Sequence, residues 1–289
     1  MLTINHPQGG GTAMRNSSIT LQPISGALGA EIADLDLSAE HNDATYAEIR
    51  SALNEHGVIF LRDQSLTPEQ FVVFAERFGE LQINRSPVIS TLPGNPKVEE
   101  LRKEPHEVTN IGDQWHTDQA SREKPCMGTV LLAREVPPFG GDTLFINMAR
   151  AYDNLSEGLK RTLDDLRAVH SLAFLLADAA ADGDPDGRFA KAHRADSEAV
   201  HPVVLRHPEN GRKILYVNPG YTMRFEGWTR RESKPLLDYL YQHAQQPEFG
   251  CRFRWRPGSM AFWDNRQTWH YAVNDYHGHR RVMHRIVIK

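Results

Sequence analysis

The pattern of apolar and polar positions divides this chain near Pro87. Before it, blocks of different period follow one another. Residues 19–37 alternate and turn at Gly26 and Gly29, as short strands do. Ala44, Ala47, Ile49 and Leu53 recur at helical spacing, predicting a helix over Asp43–His56 that Gly57 ends. Val58-Ile59-Phe60-Leu61 is a short apolar run between turn residues and predicts a buried strand. Thr67-Pro68-Glu69-Gln70 carries an N-cap threonine, a proline at the first helical position and a glutamine three residues after the cap. The helix it opens is expected to run through Phe71, Phe74 and Phe78 to Gly79.

After Pro87 the apolar runs shorten. Gly128–Ala133, Thr143–Ile146, Val203–Leu205 and Ile214–Val217 are strand-like and separated by Gly, Pro and Asn turns. Many short strands with such punctuation predict a β-sandwich or jelly roll. Helices are expected at about Ala149–Asp153, Glu157–Asp165 and Arg230–Gln245. Residues 172–200 are polar, broken by Gly and Pro, and follow no period; they read as a lid-like insertion. Residues 1–18, with Gly9-Gly10-Gly11 and no apolar signal core, read as a flexible tail ahead of one domain over 19–289.

Composition narrows the classes. The chain has 289 residues, 40% hydrophobic and 24% charged, enough to bury a full core. No apolar run approaches the roughly 18 residues of a membrane span. The formal charge of -4, with no basic block, disfavours a nucleic-acid surface. Cys126 and Cys251 form no metal or disulfide pattern, so a reducing cytoplasm is the expected compartment.

The chemistry concentrates in a few places. His116-Thr117-Asp118 and the distant His270 supply two histidines and a carboxylate, the ligand set of a non-haem Fe(II) centre with open positions for a cosubstrate and oxygen. On a strand, His116 and Asp118 share a face while Thr117 points away; on a helix they diverge. His270 is expected from a distant strand on the opposite side of a small barrel. His-x-Asp alone is a common accident, so its company matters. Arg281, Met283 and Arg285 alternate in the last segment, which places both arginines on one face of a strand. No acid lies nearby in sequence to neutralise them. Buried guanidinium groups need a partner, and a dicarboxylate held by an arginine fork with a threonine hydroxyl provides one. Gly140-Gly141-Asp142-Thr143 offers a candidate threonine; the alternative is that the arginines are ordinary exposed basic residues near the C-terminus.

The strings Trp115-His116-Thr117-Asp118, Gly140-Gly141-Asp142-Thr143, His201-Pro202-Val203, Tyr216-Val217-Asn218, Trp263-Asp264-Asn265-Arg266, His270-Tyr271-Ala272 and Arg280-Arg281-Val282-Met283-His284-Arg285 occur in that order. Together they resemble the taurine / 2,4-dichlorophenoxyacetate dioxygenase family of Fe(II)- and 2-oxoglutarate-dependent enzymes, from about Ile19 to the C-terminus. The resemblance implies a mainly β fold with helices, a double-stranded β-helix (jelly roll) core carrying inserted and flanking helices. It implies that His116, Asp118 and His270 hold Fe(II), and that Arg281 and Thr143 hold the distal carboxylate of 2-oxoglutarate. It also implies O2 as cosubstrate, succinate and CO2 as products, and hydroxylation of a small molecule. Arg285 would meet an anionic group of that substrate. An intact Asp118 argues for hydroxylation, since related halogenases replace it with a small residue.

Members that oxidise taurine carry His-Pro-Val-Tyr where this chain reads Ser86-Pro87-Val88-Ile89. Both polar groups that recognise the amino-sulfonate are missing. Ile89 and Tyr221 imply a more apolar pocket, suited to an alkyl or aryl sulfonate, a sulfate ester or an aryloxy acid. Three readings compete: hydroxylation, desaturation or cyclisation at the same iron, and a non-catalytic metal-binding jelly roll. The last has no use for a dicarboxylate clamp. Relatives form dimers or tetramers, so a homo-oligomer is expected, without nucleic-acid or membrane partners.

Overall fold

The computed structural model describes residues 19–83, 89–174 and 198–289. The chain is mainly β, with helices packed on the outside. Its strands are β1 (Thr20–Pro23), β2 (Ala30–Ala33), β3 (Val58–Leu61), β4 (Ser90–Leu92), β5 (Asn95–Lys103), β6 (Gly128–Glu135), β7 (Thr143–Asn147), β8 (Arg167–Ser171), β9 (Glu198–Pro202), β10 (Val204–Arg206), β11 (Lys213–Leu215), β12 (Thr222–Phe225), β13 (Gly250–Phe253), β14 (Met260–Asp264), β15 (Thr268–Ala272) and β16 (Arg281–Ile288). The helices are α1 (Asp43–His56), α2 (Pro68–Glu76), α3 (Met148–Asp153), α4 (Glu157–Asp164) and α5 (Arg230–Ala244).

An eight-stranded sheet runs in the order β1-β2-β3-β14-β6-β16-β5-β4, and a three-stranded sheet runs β13-β7-β15. Alternation along each strand sorts the core into layers. Ile59, Leu61, Val130, Leu132, Met260, Phe262, Ile286 and Ile288 face Ile49 and Leu53 of α1 and Phe71 and Phe74 of α2. Val58, Phe60, Leu131, Ala133, Ala261, Trp263 and Met283 face the other way, toward Phe145 and Phe253 of the smaller sheet. Phe60 stacks on Phe253 with ring centroids 4.0 Å apart. The candidate site lies in this inner layer, because Arg281 and Arg285 share the face of Met283.

The local signals read well. Asn42 caps α1, and Gly57 ends it at φ +73°, returning its N–H to the Leu53 carbonyl. Thr67 and Gln70 form the reciprocal capping box of α2. Three expectations need correction. Helix α2 stops at Glu76, and Phe78 follows in a turn whose N–H meets the Ala75 carbonyl. The runs at Val203 and Ile214 shift by a residue, to β10 and β11, because their mutual pairing sets the register. The insertion expected over 172–200 is shorter at its end: Glu198–Pro202 pairs antiparallel with β8. Residues 175–197 and the 1–18 tail lie outside the described residues.

Candidate active site

His116 and His270 meet through the backbone. Each donates its N–H to the other's carbonyl, at 3.1 and 2.8 Å, in an isolated antiparallel bridge. Residues paired this way project their side chains to one side, and the two imidazole centroids lie 4.1 Å apart. The histidines are therefore adjacent, not on opposite sides of a barrel as expected. The expectation that Asp118 follows on a strand is also corrected. The pairing ends at His116, and the chain turns through Gln119 at φ +58°. Thr117 does point away, with its hydroxyl donated to the Asn265 carbonyl.

The turn brings the Asp118 carboxylate back to both rings. Asp118 Oδ1 lies 3.8 Å from Nε2 of His116 and 3.8 Å from Nε2 of His270. One ligand atom from each residue lies within 4.8 Å of the others, and all three side chains are buried. Oδ2 accepts from the Thr129 hydroxyl at 2.7 Å, which leaves Oδ1 as the oxygen facing both imidazoles. His116 Nδ1 donates to the Gln114 carbonyl at 2.7 Å, so its Nε2 keeps the lone pair. His270 has no such anchor for its Nδ1. Its ring is held by packing instead, 4.7 Å from Trp263 and 6.3 Å from Phe145.

Electrostatics suit a cation. Burial depresses the pKa of His116, and burial reinforced by His116 depresses that of His270 to about 3, so both rings are neutral at pH 7. Burial alone would raise the Asp118 carboxyl. His270 first, then Arg285, His116 and the Thr129 hydrogen bond act against it and lower the pKa to about 2. The Arg285 Nη1 lies 3.5 Å from Asp118 Oδ1. Two neutral nitrogens and one carboxylate oxygen remain, a donor set that fits a divalent transition metal.

The turn between β14 and β15 supports this cluster. Asn265 Nδ2 donates to Thr129 Oγ1 at 2.8 Å, while its Oδ1 accepts from the Asp118 N–H at 3.2 Å and from Trp263 Nε1 at 2.9 Å. One amide thus holds the ligand loop, the residue that orients Asp118 and the strand before it. Asp264, fully buried, pairs with His207 at 2.8 Å and Arg266 at 2.6 Å. Replacing Asn265 with alanine is expected to weaken metal binding about 10- to 100-fold, as loss of a ligand-orienting contact does. Competition with a chelator measures it; unchanged affinity would make Asn265 a fold residue only.

Arg281 stands further along β16, four residues from Arg285 on the same face. At roughly 3.4 Å per residue this is about 14 Å along the strand. It is buried, and its Nε and Nη2 have no hydrogen-bond partner. Thr143 Oγ1 accepts from Trp255 Nε1 at 2.9 Å, leaving its own proton to donate. The Trp255 ring lies 5.9 Å from the Arg281 guanidinium, so one indole touches both. The glycines before Thr143 are required here. Gly140 and Gly141 have φ +70° and +66°, and a Cβ on Gly140 would lie 2.4 Å from Asp275 Oδ1.

Arg285 differs from its expected state. Its Nε donates to Glu99 Oε2 at 2.6 Å. The neutralising acid comes from the neighbouring strand β5, 186 residues away in sequence, where reading along the chain finds none. Tyr221 is buried. Its phenol pKa is raised by burial first and by Asp118 next, so it stays protonated beside the cluster. Ile89 is half-buried just ahead of β4, at the edge of the large sheet. Ser86 lies outside the described residues. Glu99, Thr129 and Asn265 were not singled out from the sequence; only Asn265, within Trp263-Asp264-Asn265-Arg266, had a signal there.

The family model described as "Taurine catabolism dioxygenase TauD, TfdA family" matches residues 20–287. The chain belongs to this family. It is a 2-oxoglutarate-dependent dioxygenase, an oxidoreductase. The alkylsulfatase of Acinetobacter baylyi is 34% identical over 274 residues, covering 93% of this chain and 84% of that protein. The alpha-ketoglutarate-dependent sulfate ester dioxygenase of Pseudomonas putida is 33% identical over 285 residues, covering 96% and 91%. The crystal structure of a taurine dioxygenase from Burkholderia xenovorans superposes with a TM-score of 0.79 at 36% identity, covering 94% of this chain and 90% of that one. Both cysteines of the TauD, TfdA-family chain are free thiols. Among the described residues no helix is long and apolar enough to cross a membrane.

Proposed function

We propose that this enzyme hydroxylates a small organic anion, a sulfate ester before a sulfonate or an aryloxy acid, and does not serve taurine. His116, Asp118 and His270 hold Fe(II), and Arg281 with Thr143 holds the distal carboxylate of 2-oxoglutarate. Residues 19–289 form one catalytic domain on a double-stranded β-helix. The observation that carries this is the buried, unpartnered fork of Arg281 on the strand face that also reaches Asp118. A site that only bound metal would have no use for it.

Iron with the keto acid supplies the oxidising power to hydroxylate an unactivated C–H bond. The chain does the rest. Asp118 gives one oxygen because Thr129 occupies the other. The neutral imidazoles donate lone pairs without competing protons. Phe145 and Trp263 pack against His270 and keep water from that side. Arg285 gives Nε to Glu99, so a substrate anion would meet its remaining edge, beside the phenol of Tyr221. Hydroxylation at the carbon bearing a sulfate ester oxygen gives a product that collapses to an aldehyde and sulfate. 2-Oxoglutarate and O2 leave as succinate, CO2 and the inserted oxygen.

A panel of taurine, alkyl sulfates, alkylsulfonates and aryloxy acids, scored for substrate-dependent succinate release with Fe(II) and ascorbate, tests the reading. Alkyl sulfates are expected to lead, with taurine at background. Taurine as the best substrate, or release that no member of the panel stimulates, would overturn it.

A further inference from the structure

Three cross-strand pairs line the inner face where β5 meets β16: Glu99 with Arg285, Leu101 with Met283, and Lys103 with Arg281. Directly opposed residues of an antiparallel pair share a face, with Cβ atoms roughly 5 Å apart. The first pair is an ion pair at 2.6 Å, and the second is apolar. The third opposes two cations. Like charges in that relation destabilise a sheet, and here both are buried, Lys103 to 4% exposure and Arg281 to 6%. Lys103 Nζ, Arg281 Nε and Arg281 Nη2 all lack a hydrogen-bond partner. An unpaired buried ammonium is costly. The Tyr276 ring, 4.3 Å from Nζ, offsets part of that cost through its π face.

Both residues line one cleft, together with Glu107, Thr109, Asn110 and Tyr276. Tyr276 is positioned by its hydroxyl, which donates to Asn110 Oδ1 at 3.2 Å. Burial lowers the pKa of Lys103, while Glu107 and Asp113 act in the opposite direction. Lys103 Nζ has no hydrogen-bond partner among the described residues, so its donors can meet an anionic ligand.

We propose that Lys103 is a second cationic contact for the remote carboxylate of the keto diacid, facing Arg281 across it and selecting dicarboxylic over monocarboxylic keto acids. This rests on the assignment of Arg281 to the cosubstrate. A carboxylate has about four lone-pair directions. The arginine fork takes two, Thr143 a third, and the ammonium the fourth as a point charge.

The test uses the full chain loaded with Mn(II), titrated calorimetrically without turnover. The ligands are 2-oxoglutarate and 2-oxovalerate, which has the same length with a methyl in place of the second carboxylate. Lys103→Met is expected to lose about 30-fold or more in affinity for 2-oxoglutarate and to keep its affinity for 2-oxovalerate. Lys103→Arg restores most of the loss, and Lys103→Met without ligand melts no lower than the parent. Equal losses for both keto acids, or no loss for either, would overturn the proposal. Arg281→Ala separates the two levels. If it alone loses 2-oxoglutarate, only the Lys103 inference falls; if it loses nothing, the cosubstrate assignment falls with it.

Discussion

The Asp118→Ala protein forms no succinate above background when Fe(II), 2-oxoglutarate and substrate are supplied. Asp118 is the one anionic member of the cluster, with Oδ1 3.8 Å from both imidazole nitrogens. Its removal leaves two neutral donors and uncovers the Arg285 guanidinium, now 3.5 Å from Oδ1. A divalent cation then loses its one anionic ligand. The effect must exceed the roughly 100-fold that loss of an outer contact costs. Asp118→Asn keeps the shape and the Thr129 contact but lacks the charge, and is expected to fail in the same direction. Succinate formation by either variant at the parent rate would remove Asp118 from the metal site.

Arg281→Ala raises the 2-oxoglutarate requirement and leaves metal retention unchanged. Truncating one partner of a buried charge pair costs about 2–5 kcal/mol, or on the order of 30-fold to several thousand-fold in affinity. The free protein is expected to tolerate the change. Its Nε and Nη2 have no partner to lose, and burial already presses the group toward its neutral form. A higher apparent KM for 2-oxoglutarate with unaltered thermal stability therefore distinguishes a ligand clamp from a structural arginine. A parallel fall in both would mean that Arg281 holds the strand.

The parts of this site legible in the sequence are those set by local rules. The capping box at Thr67 and Gln70 depends on a three-residue spacing. The common face of Arg281 and Arg285 depends on the period of a strand. The residues His116, Asp118 and His270 are legible as a ligand set by type, and the strings around them by resemblance. What the sequence hides is pairing across elements. Glu99 neutralises Arg285, and Lys103 opposes Arg281, only because β5 and β16 adopt one register. Read alone, Glu99-Glu100-Leu101-Arg102-Lys103 looks like a solvated strand. Asp118 was expected on a strand because i, i+2 spacing favours one. Instead the left-handed Gln119 and the grip of Asn265 on the Asp118 N–H fold the loop back, and those contacts come from a turn 147 residues away.

Anaerobic equilibrium dialysis with Mn(II), followed by binding of 2-oxoglutarate, tests the central claim most directly. One metal ion per chain is expected, lost in a His116→Ala/His270→Ala double variant, with 2-oxoglutarate retained only by the loaded protein. Metal retained equally by the double variant, or 2-oxoglutarate bound equally without metal, would contradict it.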